Sequence, residues 1–357
     1  MSDRVKKLQQ ILDRYNIEAM LISKPENRRY ISGFTGSAGT LLIDKQNAYL
    51  FTDFRYVEQV KEQCPGFKVI QIGDDFYQKL LHLLQKSGVS RLGFETHYVT
   101  YESYDKMAGE LSGVQLVPVK DIAEELRLIK NSEELQLIEK AVDITDRAYS
   151  EMLQLVKTGM TEKELALELE FIMRRLGAQG RAFDFIVASG PRGALPHGVA
   201  SDRVIQPGDM VTIDCGAVYK GYHSDMTRNF VLGKADEKQQ EIYNIVLEAQ
   251  VAGIEAVRPG VPAASVDLAA RGVIERYGYA QNFGHGTGHG VGLAIHEGPR
   301  ISFQEQELIL KPGMVLTVEP GIYLPGWGGV RIEDIVLVTE NGCRILTKTP
   351  KNQLPVI

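Results

Sequence analysis

The sequence predicts two domains of mixed α and β structure, a smaller α/β domain followed by a larger α+β one. Three observations carry this. The 357 residues exceed what one ordinary hydrophobic core organises. Strand-like and helix-like periodicities alternate over roughly residues 1–122, the mark of an α/β unit. From about residue 132 the order becomes helix, helix, strands, and then repeats, which suggests a duplicated half, although the two halves share no strong sequence identity.

The first helix is read from Val5, Leu8, Ile11, Leu12 and Tyr15 at helical spacing, and the apolar run 19–23 reads as a strand. Strands follow at 39–44, 48–52, 67–72, 91–95 and 114–119, with helices from about 54, over 74–86 and near 100–111. Thr52-Asp-Phe-Arg-Tyr56 is the one conspicuous polar cluster here, read as a strand end and helix cap or as a contribution to a neighbouring subunit's cleft. The boundary falls at 120–131, a charged stretch, so the domains are drawn as 1–122, a linker at 123–131, and 132–357. Asn131 with Glu134, and Thr161 with Glu164, fit capping boxes that open two helices. The second ends near Gly177; strands come next around 183–189 and 210–219, then helices over 237–257 and 265–277 and strands beyond 290.

Composition excludes several function classes. A net charge of −6 and a pI near 5.8 argue against nucleic acid or an anionic membrane as the main partner. No secretory-type apolar segment and no run of about 18 uncharged apolar residues occurs, so a cytoplasmic protein is expected. Cys64, Cys215 and Cys343 are an odd count without a Cys-x-x-Cys, which disfavours a disulfide framework or a thiolate zinc site. Cys215 beside an acidic residue invites a nucleophile reading, but a free cysteine is more often a small buried hydrophobe. Nucleophile-elbow and phosphate-loop motifs are absent.

Residues 282–297, Asn-Phe-Gly-His-Gly-Thr-Gly-His-Gly-Val-Gly-Leu-Ala-Ile-His-Glu, hold three of the seven histidines: His285, His289 and His296. Five glycines in this stretch oppose a helix and let backbone approach a ligand, so an extended segment on a cleft floor is expected. Acidic residues flank it on both sides. If Lys220-Gly221 is a two-residue hairpin loop, Tyr219 faces Tyr222 and Gly216 faces Asp225, which puts Asp214 and Asp225 on one face as diagonal neighbours. A turn centred near Gly326 places Glu319 opposite Glu333, with Arg331 on the same face. Carboxylates so arranged repel unless a cation lies between them. Asp214, Asp225, Glu319 and Glu333 with His289 form an oxygen-rich set that suits two divalent ions, Mn²⁺ or Co²⁺ more naturally than copper or iron–sulfur, and matches neither a structural zinc site nor an EF-hand. Two such metals about 3.5–4 Å apart can activate a shared water for hydrolysis.

These five residues in order, with Gly-His-Gly-Thr-Gly-His-Gly-Val-Gly at 284–292, Ile295-His-Glu297 and Val318-Glu-Pro-Gly-Ile-Tyr323, resemble the pita-bread metallopeptidases, above all aminopeptidase P and prolidase. The resemblance covers nearly the whole chain. It implies a pita-bread catalytic domain over about 132–340 behind a creatinase-type N-terminal domain. It also implies that Asp214 chelates one metal, His289 and Glu319 the other, and that Asp225 and Glu333 bridge, with Glu319 shuttling a proton. By the same resemblance His197 and His296 contact the substrate and the developing tetrahedral centre, while His285, Tyr323 and Arg331 support the site; His223 has no counterpart and is taken as a hairpin residue. The cofactor implied is a pair of divalent ions, Mn²⁺ first, with Co²⁺ or Zn²⁺ permitted.

The activity implied is hydrolysis of the Xaa-Pro bond at the N-terminus of dipeptides or short peptides. An Xaa-Pro dipeptidase is favoured by the compact length without long insertions; aminopeptidase P, acting on longer peptides, is the alternative. A non-catalytic pita-bread module that binds peptide or protein is the remote one, weighed against the retention of all five ligand positions. Methionine aminopeptidase normally lacks the N-terminal domain, and creatinase does not keep the metal ligands. A homodimer is expected, with Arg55 or Tyr56 near the partner's site.

Overall fold

The computed structural model describes residues 3–357, which divide into two compact units at Arg127/Leu128. The first unit is a six-stranded sheet in the order β4-β3-β2-β1-β5-β6. Its strands are β1 (Ala19–Ile22), β2 (Thr40–Asp44), β3 (Ala48–Thr52), β4 (Lys68–Gln71), β5 (Arg91–Glu95) and β6 (Gln115–Val119). β1, β2 and β3 are joined antiparallel, whereas β4, β5 and β6 enter as parallel partners. The helices are α1 (Asp3–Ile11), α2 (Pro25–Ser32), α3 (Val57–Gln63), α4 (Phe76–Lys86), α5 (Tyr101–Glu110) and α6 (Ile122–Arg127).

Two of these elements have no counterpart in the sequence reading. α2, Pro-Glu-Asn-Arg-Arg-Tyr-Ile-Ser, lacks an apolar stripe, yet Asn27, Arg28, Tyr30 and Ile31 are buried. Hydrogen bonds pair most of its polar ends instead: Asn27 donates to the Glu95 carboxylate at 2.7 Å, and the two terminal nitrogens of Arg28 donate to the carbonyls of Gly36 and Gly39 at 2.7 and 2.6 Å. α6 lies inside the stretch read as a linker, with Ile122, Ala123 and Arg127 buried, and Arg127 donates to Asn27 at 2.7 Å. At Thr52–Tyr56 the structure shows a strand end and a helix entry. Thr52 closes β3, and the exposed Arg55 forks onto Asp53 at 2.9 and 2.8 Å.

The second unit opens with α7 (Ser132–Leu153) and α8 (Glu162–Arg175), both started by the expected capping boxes. The strands β7 (Gly180–Arg181), β8 (Ile186–Ser189), β9 (Met210–Cys215), β10 (Ala217–Tyr219), β11 (Tyr222–His223) and β12 (Met226–Val231) follow. The repeat then comes as α9 (Glu237–Ala256), α10 (Ala263–Arg276), β13 (Gly288–Gly290), β14 (Glu297–Ile301), β15 (Val315–Val318), β16 (Gly321–Leu324), β17 (Gly328–Arg331), β18 (Asp334–Thr339) and β19 (Gly342–Ile345). The sheets run β12-β9-β8 and β14-β13-β15-β18-β19, with small ribbons β11-β10-β7 and β16-β17.

β8 and β12 are buried along their whole length and β9 nearly so, and α7 and α8 pack against this sheet. Ile172 of α8, Val211 and Ile213 of β9 and Phe230 of β12 share one core cluster. Full burial of such side chains contributes about 1.5–3 kcal/mol each. Cys215 is in the same cluster, and burial pushes its thiol well above its ordinary pKa, so it is a core residue and no nucleophile.

Candidate metal centre

Two hairpins set the carboxylates. Tyr219 pairs with Tyr222 across the Lys220-Gly221 turn, where both residues have positive φ (45° and 77°). The same register resumes beyond a break, pairing Cys215 with Met226 and Asp214 with Thr227. Asp225 lies two residues before Thr227 and so shares the face of Asp214. In the break, a Cβ on Gly216 would overlap the Ser224 carbonyl, which is why a glycine stands there. The second hairpin behaves alike. β16–β17 pairs Gly321 with Arg331, and β15–β18 pairs Val318 with Asp334, so Glu319 and Glu333 face each other between the two ladders. The Gly-His stretch is extended, as expected: β13 threads between β14 and β15, and side chains at Gly288 or Gly290 would overlap the Thr317 or Gly298 carbonyl.

All ten candidate residues line one cleft of about 750 Å³: His197, Asp214, Asp225, His285, His289, His296, Glu319, Tyr323, Arg331 and Glu333. Asp225, His289 and Glu333 each present a ligand atom, all within 4.8 Å of one another. His289 Nε2 lies 3.5 Å from Asp225 Oδ2 and 3.3 Å from Glu319 Oε1. Burial lowers the His289 pKa, and its Nδ1 faces the Gly290 carbonyl at 3.1 Å. A neutral ring must then carry its proton on Nδ1, which leaves the Nε2 lone pair pointing at the carboxylates.

Burial, reinforced by the Glu333 charge, raises the Asp225 carboxyl well above the ordinary range, and Glu333 is raised in the same way by burial and Glu319. Glu319 is pushed up to about 8 by burial, against the opposing pull of Arg331. Two carboxylates ~4 Å apart repel by roughly 4 kcal/mol at an effective dielectric of about 20. The Thr227 hydroxyl on Glu333 at 2.7 Å returns less, about 1.5–3 kcal/mol for such a bond. Meanwhile Asp214 Oδ1, Asp225 Oδ1 and Glu333 Oε1 are buried without a hydrogen-bond partner among the described residues. Orphaned anionic oxygens around a bare imidazole nitrogen are what a divalent cation would satisfy, so the donor set fits the implied metals.

Arg331 is the fixed cation beside this cluster. It donates to Asp214 at 2.8 Å, to the Tyr323 hydroxyl at 2.9 Å and to Thr227 at 3.1 Å. Tyr323 in turn meets His285 Nε2 at 2.9 Å, while His285 Nδ1 faces the Gly286 carbonyl at 2.8 Å. Burial brings His285 down to about 4, so it accepts from Tyr323 as a neutral ring. His296 packs edge-on against His289 with ring centroids 4.2 Å apart, and His197 is exposed on the cleft wall. His223 lies off the cleft, its Nδ1 against the Gly292 carbonyl at 3.1 Å.

Several supporting groups were missed from sequence. Thr317 Oγ1 donates to Glu319 and accepts from the His289 amide, each at 3.1 Å. Asp267 on α10 accepts from the Thr287 amide and hydroxyl at 2.9 Å, and Thr287 O receives the Glu319 amide at 2.8 Å. Arg300, an exposed residue of β14, lines the cleft, and its side chain makes no hydrogen bond or ion pair among the described residues. The alternation rule could have found Thr227 and Thr317, each two residues from an acidic candidate; no local signal marks Asp267.

The profile of metallopeptidase family M24 matches residues 136–340, and that of the creatinase/prolidase N-terminal domain matches residues 4–129. This chain belongs to metallopeptidase family M24. A Pyrococcus horikoshii protein named Xaa-Pro dipeptidase is 43% identical over 354 residues, covering 98% of each chain. The structure of an Xaa-Pro dipeptidase from Bacillus anthracis matches with a TM-score of 0.97 at 43% identity, covering 99% of both chains. That of an X-Pro aminopeptidase from Thermotoga maritima matches with a TM-score of 0.90 at 39% identity, over 98% of this chain and all of the other. The M24 assignment makes the protein a metal-dependent hydrolase with a creatinase-type N-terminal domain. Among the described residues no helix is long and apolar enough to cross a membrane.

Proposed function

We propose that this M24 enzyme is an Xaa-Pro dipeptidase that hydrolyses the bond between an N-terminal residue and proline. The reading rests on one observation above the others: four carboxyl groups and a bare imidazole nitrogen meet on a cleft floor where three carboxyl oxygens have no partner among the described residues. Asp214, Asp225, His289, Glu319 and Glu333 would hold two divalent ions, with Mn²⁺ the first candidate and Co²⁺ or Zn²⁺ also suited to the donors. Ions bound there supply Lewis acidity, which brings the pKa of water toward about 7.

The remaining steps belong to the chain itself. Glu319, oriented through Oε1 by Thr317, takes the proton of the attacking water and returns it to the leaving nitrogen. His296 and His197, on the open side of the cleft, face the carbonyl oxygen as it gains charge. Arg331 keeps Asp214 and Tyr323 in place. The scissile amide has no N–H, so nothing in the site needs to accept one. The acidic floor favours a free substrate α-amine, which restricts cleavage to the first residue.

Support for a dipeptidase over an aminopeptidase comes from Arg300. An unpaired guanidinium on the cleft wall suits the terminal carboxylate that Xaa-Pro carries and a longer peptide places elsewhere. Arg300→Ala is expected to raise KM for Ala-Pro about 10-fold or more, since charge-assisted bonds are worth roughly 1.5–3 kcal/mol, with kcat nearly unchanged. Its KM for Ala-Pro amide, which lacks the carboxylate, should match that of the unsubstituted enzyme. Equal loss on both substrates, or faster turnover of Ala-Pro-Xaa tripeptides than of Ala-Pro by the unsubstituted enzyme, would move the assignment to aminopeptidase P.

A further inference from the structure

Glu162, the first residue of α8, has no place in the chemistry above and is fully buried. Burying a carboxylate costs several kcal/mol unless it is well paired. Here the donors come from three separate points of the chain. Oε1 accepts from the Ser189 amide and hydroxyl at 2.8 and 2.7 Å. Oε2 accepts from the Ser201 amide and hydroxyl at 3.0 and 2.7 Å and from the Arg192 guanidinium. Ser189 ends β8, Ser201 follows the turn, and the segment between them carries Pro196 and His197.

One carboxylate thus ties both feet of a loop whose tip reaches the cleft. Arg192 also bridges the loop internally, donating to the Val199 carbonyl at 2.9 Å. Within it the backbone folds tightly, with Gly198 N on Leu195 O at 3.0 Å and Val199 N on His197 O at 2.9 Å. The His197 side chain makes no hydrogen bond among the described residues, so its place in the cleft depends on where this backbone is held.

We propose that Glu162 is a positioning residue that fixes the 189–201 segment and through it His197. The catalytic consequence rests on the dipeptidase reading; the conformational one does not. Two measurements test it together: hydrogen exchange of amides 190–200, and a double-mutant cycle of Glu162→Gln with His197→Ala on Ala-Pro hydrolysis by the Mn²⁺-loaded protein. Glu162→Gln is expected to speed exchange in 190–200 while β15 and β18 keep the exchange of the unsubstituted protein. It should lower kcat about 10- to 100-fold, as small misplacements of a reacting group do, and Glu162→Asp should recover part of that loss. In the His197→Ala background the same substitution should cost less than about 2-fold, because the two act through one imidazole.

Unchanged exchange in the segment overturns the proposal, as does a loss that multiplies in full with His197→Ala, or exchange that rises evenly across the unit. If Glu162→Gln does not fold, Ser201→Ala removes one of the five donors and should move both readouts the same way by less. If no form of the protein cleaves Xaa-Pro, the dipeptidase reading fails, and the exchange pattern alone decides the role of Glu162.

Discussion

Asp225→Asn is expected to lower kcat for Ala-Pro by on the order of 10³-fold or more, a loss of about 4 kcal/mol of transition-state stabilisation if the two-metal arrangement collapses. Asn keeps the size of the side chain but not the charge, and it can give a cation only one weak oxygen. Asp225 sits within ligand reach of both His289 and Glu333 and has a buried oxygen with no partner among the described residues. The substitution should leave the fold intact. In the metal-free protein it removes one of several mutually repelling buried carboxylates, so thermal stability without metal should rise, while the gain on adding Mn²⁺ shrinks. An Asp225→Asn protein with normal kcat and normal Mn²⁺ stabilisation would show that Asp225 holds no metal.

Glu319→Gln is expected to lower kcat by about 10²- to 10⁴-fold, the range of a lost general base or acid, with a smaller effect on KM. The amide preserves the bond from Thr317 but cannot carry the proton. A pH signature accompanies it in the metal-free protein. Glu319 rises from an ordinary value of 4.5 to about 8 on folding, driven first by burial. The native state therefore holds a proton that the unfolded chain releases, and this contribution to stability is complete below pH 4.5 and is lost as pH rises through about 8. Glu319→Gln should flatten that decline, leaving what Asp225 and Glu333 contribute. Denaturant midpoints of both proteins between pH 5 and pH 9, with a chelator present, read the difference.

The parts of this site that sequence reasoning reached share one property: they follow from strand alternation and a single turn. The Lys220-Gly221 loop determines that Asp214 and Asp225 share a face, and the turn near Gly326 sets Glu319 against Glu333, because register carries through both breaks in the ladders. Glycines at 288 and 290 were legible as places where backbone comes close, and carbonyls do crowd them. What stayed hidden depends on contacts between distant segments. Asp267 reaches Thr287 across 20 residues, and Glu162 reaches Ser201 across 39. α2 and α6 escaped for a related reason. Their buried faces include Asn27, Arg28 and Arg127, whose side chains are held by hydrogen bonds, and a search for apolar stripes does not see such a face.

The carboxylate–histidine cluster is proposed as a metal centre for Xaa-Pro hydrolysis. The most direct test titrates Mn²⁺ into chelator-treated protein while following cleavage of Ala-Pro beside Ala-Pro-Xaa. Turnover should be absent without metal, recover to saturation at two ions per chain, and favour the dipeptide. Turnover that survives chelation, or none at any metal loading, would contradict that assignment.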